Sequence, residues 1–351
     1  MSASIPEANA DNQSASFESP APATPLAPAA EPRRRPRVVA LGGGHGLWAI
    51  LRALITMDVD ITAVVTVADD GGSSGRLRRE LPHMLPPGDL RMALGALTPD
   101  SEHGRLWGST FQHRFGGQGA LAGHPVGNLL LAGLSQVTED PVKALDAAGE
   151  LLGTLGRVLP MACAPLDIVA DVTGLDEDPA AVRHIRGQVA VATTPGCVQR
   201  IYLEPSGTPA CPEAIAAIMN ADLITLGPGS WMTSVLPHLL LPDLEKALSA
   251  TAAHRMVILN IEPQAGETDG FSPEQHLEVL ARYAPGFHIN TVLADTGAVV
   301  LPLRLASAVA RLEAQLLLTS VADPAGAPRH DSLALARAIA PVVAQAVVPR
   351  R

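Results

Sequence analysis

With 351 residues, 47% of them hydrophobic and only 17% charged, the chain has ample apolar material for a large core, in one big domain or two small ones, and is not fibrous. A formal net charge of −10 argues against nucleic acid as a main partner, since that binding draws on a basic surface that neutralises phosphates. Three cysteines, Cys163, Cys197 and Cys211, lie far apart without CxxC spacing, which fits neither a disulfide framework nor a zinc site, so they read as buried or incidental thiols.

Residues 1 to about 36 are rich in Ala, Pro, Ser and Glu and cannot bury enough surface to offset ordering entropy, so a disordered tail is expected there. It ends in Arg33-Arg34-Arg35-Pro36-Arg37, a run that either touches an acidic surface or is simply solvated. No basic residue precedes an apolar run at the N-terminus, and no stretch of about 18 apolar residues occurs. Neither signal peptide nor transmembrane segment is expected, and the default location is the cytoplasm.

From Val38 onward short β-branched runs alternate with helical spacing, the signature of a doubly wound α/β fold with a mainly parallel sheet. Strands are expected over Val38–Leu41, Ile61–Val67, Leu166–Val172, Val198–Leu203, Leu223–Leu226, Met256–Asn260 and His288–Leu293. Helices are expected over Leu47–Met57, Leu90–Leu97, Val126–Val137, Pro141–Leu152, Pro212–Met219, Met232–Leu240, Pro273–Tyr283 and Ser332–Val347. Residues 98 to 165 read mostly as helices, an excursion packed beside the sheet rather than an independent domain.

An acidic protein repels phosphate at long range, so any phosphate ligand must be captured locally, by helix N-termini and a few placed arginines. The first strand runs into Gly42-Gly43-Gly44-His45-Gly46-Leu47 and then a helix, which aims N–H groups at an anion. Leu47 stands where a dinucleotide fingerprint has its third glycine, so the turn is either a phosphate site or a tight structural turn. The second strand ends in a polar run, Ala68-Asp69-Asp70-Gly71-Gly72-Ser73-Ser74-Gly75-Arg76-Leu77-Arg78. There Asp69 or Asp70 can accept from a ribose hydroxyl, while Ser73, Ser74 and the arginines Arg76 and Arg78 can hold phosphate. The alternative is a long Asx-type turn capping its own backbone.

Asp89 is suited to N-cap a helix starting near Leu90, and Arg91 in its first turn either serves an anion or is merely exposed. His124 and Asn128 lie near the start of the helix beginning around Val126, as structural groups or ligand contacts. A second strand, turn and helix unit leads from Leu226 into Gly227-Pro228-Gly229-Ser230 and Trp231-Met232-Thr233-Ser234, with Ser230 as N-cap and Gly229 leaving the helix mouth open. Two such mouths on one sheet put a ligand at the switch point between halves. A G-x-x-x-x-G-K-S/T loop, a G-x-S-x-G elbow and H-E-x-x-H are all absent, and no nucleophile can be named.

Together Gly42–Leu47, Val67–Arg78, Pro87–Arg91, Gly123–Asn128, Gly227–Ser234 and Asn260 with Gln264–Thr268 resemble the YvcK family, UPF0052-type proteins also named gluconeogenesis factors, over residues 37 to 335. The resemblance implies kinship with CofD, the 2-phospho-L-lactate transferase of deazaflavin coenzyme biosynthesis, and a single Rossmann-like domain over 37–351. It also implies a cytoplasmic binder of UDP-sugars such as UDP-N-acetylglucosamine. Such a protein is needed for cell shape, morphogenesis and cell-wall synthesis on gluconeogenic carbon sources, with no established catalysis. By the same resemblance Arg329, in Arg329-His330-Asp331-Ser332, faces the nucleotide sugar, and Ser332 is a candidate phosphorylation site. Three departures stand out: His45 where the family has Thr, Met92 where it has Asn, and no counterpart of its Tyr between Ala294 and Pro302.

The leading expectation is therefore a non-enzymatic regulator with ligand phosphates at the Gly42–Gly46 and Gly227–Ser230 turns. The competing one is a CofD-like transferase acting on a deazaflavin, with Asp69 or Asp70 and Mg²⁺; an aromatic content of only 3% weighs against a flat heteroaromatic acceptor. A nicotinamide dinucleotide protein is a third reading, against which Leu47 counts. No resident metal is assigned. Cell-wall synthesis proteins and a homodimer are the partners the resemblance leaves open.

Overall fold

The structure, a computed structural model, describes Met1 and residues 34–264, 268 and 270–346. Most of the expected N-terminal tail, residues 265–267 of the Gln264–Thr268 segment, and Val347 lie outside the described residues.

Seven strands form one parallel sheet: β1 (Arg37–Gly42), β2 (Asp60–Val65), β3 (Gly156–Pro160), β7 (Leu223–Leu226), β8 (His254–Ile258), β9 (Thr291–Asp295) and β10 (Gln315–Thr319). Their order is β10-β9-β8-β7-β1-β2-β3. Val38, Ala40 and Leu41 in β1 and all of β7 are essentially without solvent exposure, as expected of parallel strands covered on both faces. The chain winds outward from β1 through β2 to β3, then returns to β7 on the other side of β1. The switch point of this Rossmann-like sheet is therefore the β1–β7 pair, where Leu41 stands level with Leu226.

Three strands pair differently. β4 (Asp167–Thr173), β5 (Arg183–Arg186) and β6 (Cys197–Glu204) make a separate antiparallel sheet in the order β5-β4-β6. Two of them, β4 and β6, were expected in the parallel sheet. The physical reason lies in their outer residues: Arg183, His184, Arg186, Gln199 and Arg200 are exposed, and a sheet with one wet face is compatible with antiparallel but not with doubly covered parallel strands.

The helices that shape the site are α1 (Gly44–Leu54), α2 (Gly72–Glu80), α3 (Pro87–Ala96), α4 (Glu102–Gln112), α5 (Val126–Thr138) and α6 (Pro141–Leu152). α1 packs against α3 and against the last helix, Ser332–Ala346. The stretch 98–165 does hold α4, α5 and α6, but β3 within it is an edge strand of the main sheet. The strands β3, β5 and β10 escape sequence reading because each is only four or five residues long; β3 and β10 carry Arg157 and Gln315 in or at the head of their apolar runs, and β5, Arg-His-Ile-Arg, has a single apolar residue.

Candidate functional site

The two glycine turns leave the sheet side by side because β1 and β7 are neighbours. Their approach is so close that a Cβ on Gly46 would collide with the Pro228 carbonyl, so only glycine permits it. Gly44 opens α1 at φ +56, a left-handed conformation that equally calls for glycine. At the second turn Asn260 holds the Gly229 peptide at both ends: its Oδ1 accepts from the Gly229 N–H at 2.8 Å and its Nδ2 donates to the Gly229 carbonyl at 2.8 Å. Ser230 caps the following helix as expected, its Oγ accepting from the Thr233 N–H at 3.0 Å. That helix, Trp231–Val235, is π-helical, and Thr233 and Ser234 are buried within it.

Beside these turns opens a cleft of about 600 Å³. His45, Gly46, Pro228, Gly229 and Asn260 form one wall; Asp323, Arg329, His330, Asp331 and Ser332 form the other. The N–H groups of His45 and Gly46, in the first turn of α1, have no intrahelical acceptor by helix geometry, which makes this wall electropositive. Arg329 is steadied by Asp323, whose Oδ2 accepts from its Nε at 2.6 Å, and three-quarters of its side chain stays exposed on the rim. Burial pushes the His330 imidazole down to about 4, so it is neutral at pH 7.

This second wall rests on Asp295, at the carboxyl end of β9. Its Oδ1 accepts from the N–H groups of Gly297 and Ala298, its Oδ2 from those of Val321 and Ala322, at 2.7–3.0 Å. Burial alone would raise its pKa, but these four N–H bonds outweigh that and hold it low. Sequence reading missed Asp295 and, among the residues that line the cleft, Trp48, Glu262 and Asp323. The usable signal was Asp295 itself, an acid closing a buried strand at the crevice end of a doubly wound sheet.

The remaining expected residues gather around α2, α3 and α5. Ser73 Oγ lies 2.8 Å from His124 Nδ1 and accepts from Asn128 Nδ2 at 2.9 Å, and Asn128 Oδ1 accepts from Arg91 Nε at 2.9 Å. All four are buried. Ser74 Oγ accepts from the Gly88 N–H at 3.1 Å. Asp89 sits against Gly43 and Thr66, and burial, with the Asp69 carboxylate nearby, raises its pKa to about 7 despite the Gly44 N–H and Arg91. Burial raises that of Asp69 as well.

Several expectations change. Ser73 to Arg78 lie on a helix, not in an open loop, because Ser73, Ser74, Gly75 and Leu77 all face inward. Asp89 is inside α3, whose N-cap is Pro86. Leu47 is a core residue at 2% exposure, and its N–H bonds to the Gly43 carbonyl at 3.3 Å. Gly227, likewise, is buried beneath the turn, and the Gly229 N–H is already satisfied by Asn260. Arg78 is engaged elsewhere, its Nη2 2.7 Å from Asp167 Oδ1. Asp69 and Asp70 diverge: Asp69 Oδ1 accepts from the Gly71 N–H and Asp70 Oδ1 from the Val189 N–H, at 2.8 and 3.1 Å. Among the described residues no three His, Cys, Asp or Glu side chains converge on a metal position. Cys211 is buried, and its Sγ donates to Glu213 Oε2 at 3.2 Å.

Comparison with known proteins bears directly on this arrangement. The profile of the family described as "2-phospho-L-lactate transferase CofD" matches residues 38–313. The chain belongs to the CofD family. A Mycobacterium tuberculosis H37Rv protein named "Putative gluconeogenesis factor" is 56% identical over 313 residues, covering 88% of this chain and 91% of that protein. A "Gluconeogenesis factor" from Listeria monocytogenes is 39% identical over 279 residues, covering 80% of this chain and 83% of the relative. The crystal structure of a UPF0052 family member from Bacillus halodurans superimposes with a TM-score of 0.79 at 33% identity, over 88% of this chain and 100% of that one. This CofD-family chain is thus a homologue of the gluconeogenesis factors. No helix among its described residues is long and apolar enough to cross a membrane.

Proposed function

We propose that the chain is a cytoplasmic, non-catalytic regulator that binds a UDP-sugar such as UDP-N-acetylglucosamine in the switch-point cleft, and so couples cell shape and cell-wall synthesis to growth on gluconeogenic carbon. The observation that carries this reading is the convergence of the α1 N-terminal turn and the Arg329 guanidinium on one cleft of about 600 Å³. That volume suits a nucleotide sugar, and the two positive elements supply the local attraction that an acidic protein needs. The kinship with gluconeogenesis factors supports the physiological half.

Calorimetric titration with UDP-N-acetylglucosamine, beside UDP-glucose, NAD and a deazaflavin, tests it. Saturable binding of the UDP-sugar without turnover is expected, with a stability gain of roughly 2.7 kcal/mol at about 100 times Kd. Arg329→Ala should weaken binding at least tenfold, by removing a charge-assisted hydrogen-bond donor. Binding of the deazaflavin alone would overturn the proposal.

One observation favours a second reading, a phospholactate-type transferase. Asp89, with its carboxyl held near 7 beside Asp69, is matched to general-base work at neutral pH. Product formation from a deazaflavin and an activated phospholactate donor, abolished in Asp89→Asn, would establish it.

A further inference from the structure

The edge of a sheet carries unpaired N–H and C=O groups, which folded proteins guard with charge, proline, a bulge or a covering group. The two sheets end in β10 and β3, and in β5 and β6. Three of these strands are guarded. β3 carries Arg157, whose guanidinium holds both Asp146 carboxylate oxygens at 2.7 and 2.8 Å, and it ends in Pro160. β5 is Arg-His-Ile-Arg, with Arg183, His184 and Arg186 exposed. On β6 the Tyr283 hydroxyl accepts from the Ile201 N–H at 2.7 Å and so stands across the edge.

β10 has none of these devices. Its sequence is Gln-Leu-Leu-Leu-Thr, without charge or proline; it pairs with β9 in unbroken register, and Leu316 to Thr319 are only half-buried. The Gln315 N–H donates to the Asn290 carbonyl at 2.9 Å and the Thr319 carbonyl accepts from the Thr296 N–H at 3.2 Å, both on the β9 side. Alternation along the strand therefore turns the N–H and C=O of Leu316 and Leu318 outward, where they have no partner among the described residues. More apolar surface adjoins this edge. The helix Pro302–Arg311 leads into β10 and packs on it, and Val300, Leu301 and Leu303 at its start are 87%, 56% and 85% exposed.

We infer that the β10 edge is a docking surface for a second copy of this chain, joined antiparallel about a two-fold axis at Leu317 so that the two parallel sheets become one. The strand is self-complementary in that register. Leu316 exchanges two hydrogen bonds with the partner's Leu318, Leu318 does so with the partner's Leu316, and every outward group of both strands is satisfied. Leu317 meets the partner's Leu317 on the axis, and no charge within the strand opposes the approach. The same axis lays the helix Pro302–Arg311 beside its mate. Its Arg304 side faces the helix Pro273–Tyr283, with Nε 4.0 Å from Glu274 Oε2. The opposite side carries Ala306 and Ala310, small enough for two helices to come close. No β10 residue lines the Arg329 cleft, so the inference stands whether or not that cleft takes a UDP-sugar.

Sedimentation velocity of the full-length protein, over about 1–100 μM at about 0.15 M salt, tests it, and a monomer–dimer equilibrium is expected. Leu316→Pro removes an N–H that serves nothing within one copy and obstructs the partner strand. Because the axis repeats the loss of a bond worth about fivefold, Kd should rise about 25-fold or more. Leu317→Lys and Leu317→Glu set like charges opposite each other and should each be monomeric, whereas mixing the two should restore a dimer. If these substitutions unfold the chain, hydrogen exchange of the unmodified protein decides: residues 315–319 should gain protection as concentration rises, and β3 should not. A wild-type chain that is monomeric at about 100 μM, a dimer that survives in folded Leu316→Pro, Leu317 variants that stay monomeric on mixing, or no gain of protection at 315–319 would overturn the inference.

Discussion

Asn260→Ala removes both hydrogen bonds that fix the Gly229 peptide, each 2.8 Å long. A net hydrogen bond contributes about 1 kcal/mol, and the partly enclosed Gly229 N–H and carbonyl lose their partners at some further cost, so the expected destabilisation is about 2–3 kcal/mol. With an unfolding entropy of roughly 2 cal/mol/K per residue over this length, that is a fall in Tm of about 3–4 °C. The turn no longer presents a fixed wall to the cleft, and UDP-sugar affinity should fall with it. Asn260→Asp sharpens the argument. It keeps an acceptor for the Gly229 N–H but sets a carboxylate against the Gly229 carbonyl and beside the ligand phosphates, so it should be no more stable than Asn260→Ala and bind more weakly. The assay pairs thermal unfolding with calorimetric titration. An unchanged Tm in Asn260→Ala together with lost binding would refute the reasoning, because the amide would then be acting on the ligand itself and not through the turn.

Three further outcomes follow from the same geometry. Gly46→Ala drives a methyl into the Pro228 backbone and should cost about 3 kcal/mol or more, with loss of UDP-sugar binding, read by urea unfolding and titration. For Asp89 the folded pKa, about 7, lies above the ordinary value of 3.8, so the protonated form favours folding. Its contribution is complete below pH 4 and is lost as pH rises through 7; urea unfolding at pH 5 and pH 8 should show a drop of order 2 kcal/mol that Asp89→Asn abolishes. Arg78→Met breaks the pair with Asp167 that ties α2 to β4 and should cost about 1–2 kcal/mol while leaving UDP-sugar affinity intact; a loss of affinity would return Arg78 to the ligand site.

How far the sequence reached can be argued from particular residues. The polar run Asp69–Arg78 carries its chemistry openly in its letters, yet its letters do not show that Gly72–Glu80 is a helix with one face turned inward. Ser73 and Ser74 are buried on α2 by partners that come from 14 to 55 positions away, Gly88, His124 and Asn128, and no local pattern contains those contacts. Asp295 and Asp323 passed unnoticed for a similar reason. Each acts through backbone N–H groups or an arginine in its own fold neighbourhood, and a lone Asp in a loop looks like any turn former.

The amino-acid sequence by itself determined the doubly wound class, the two glycine turns and Ser230 as a helix cap, because strand period, turn chemistry and capping are local properties of the chain. Only the tertiary structure decided that β1 and β7 are neighbours, so that Gly46 meets Pro228, that β4 and β6 leave the parallel sheet, and that the expected site residues divide into a cleft around Arg329 and a buried donor cluster around Arg91 and His124. Those outcomes depend on which elements pack together across more than a hundred residues, and burial, which raises the pKa of Asp89 and lowers that of Arg91, exists only once that packing has formed.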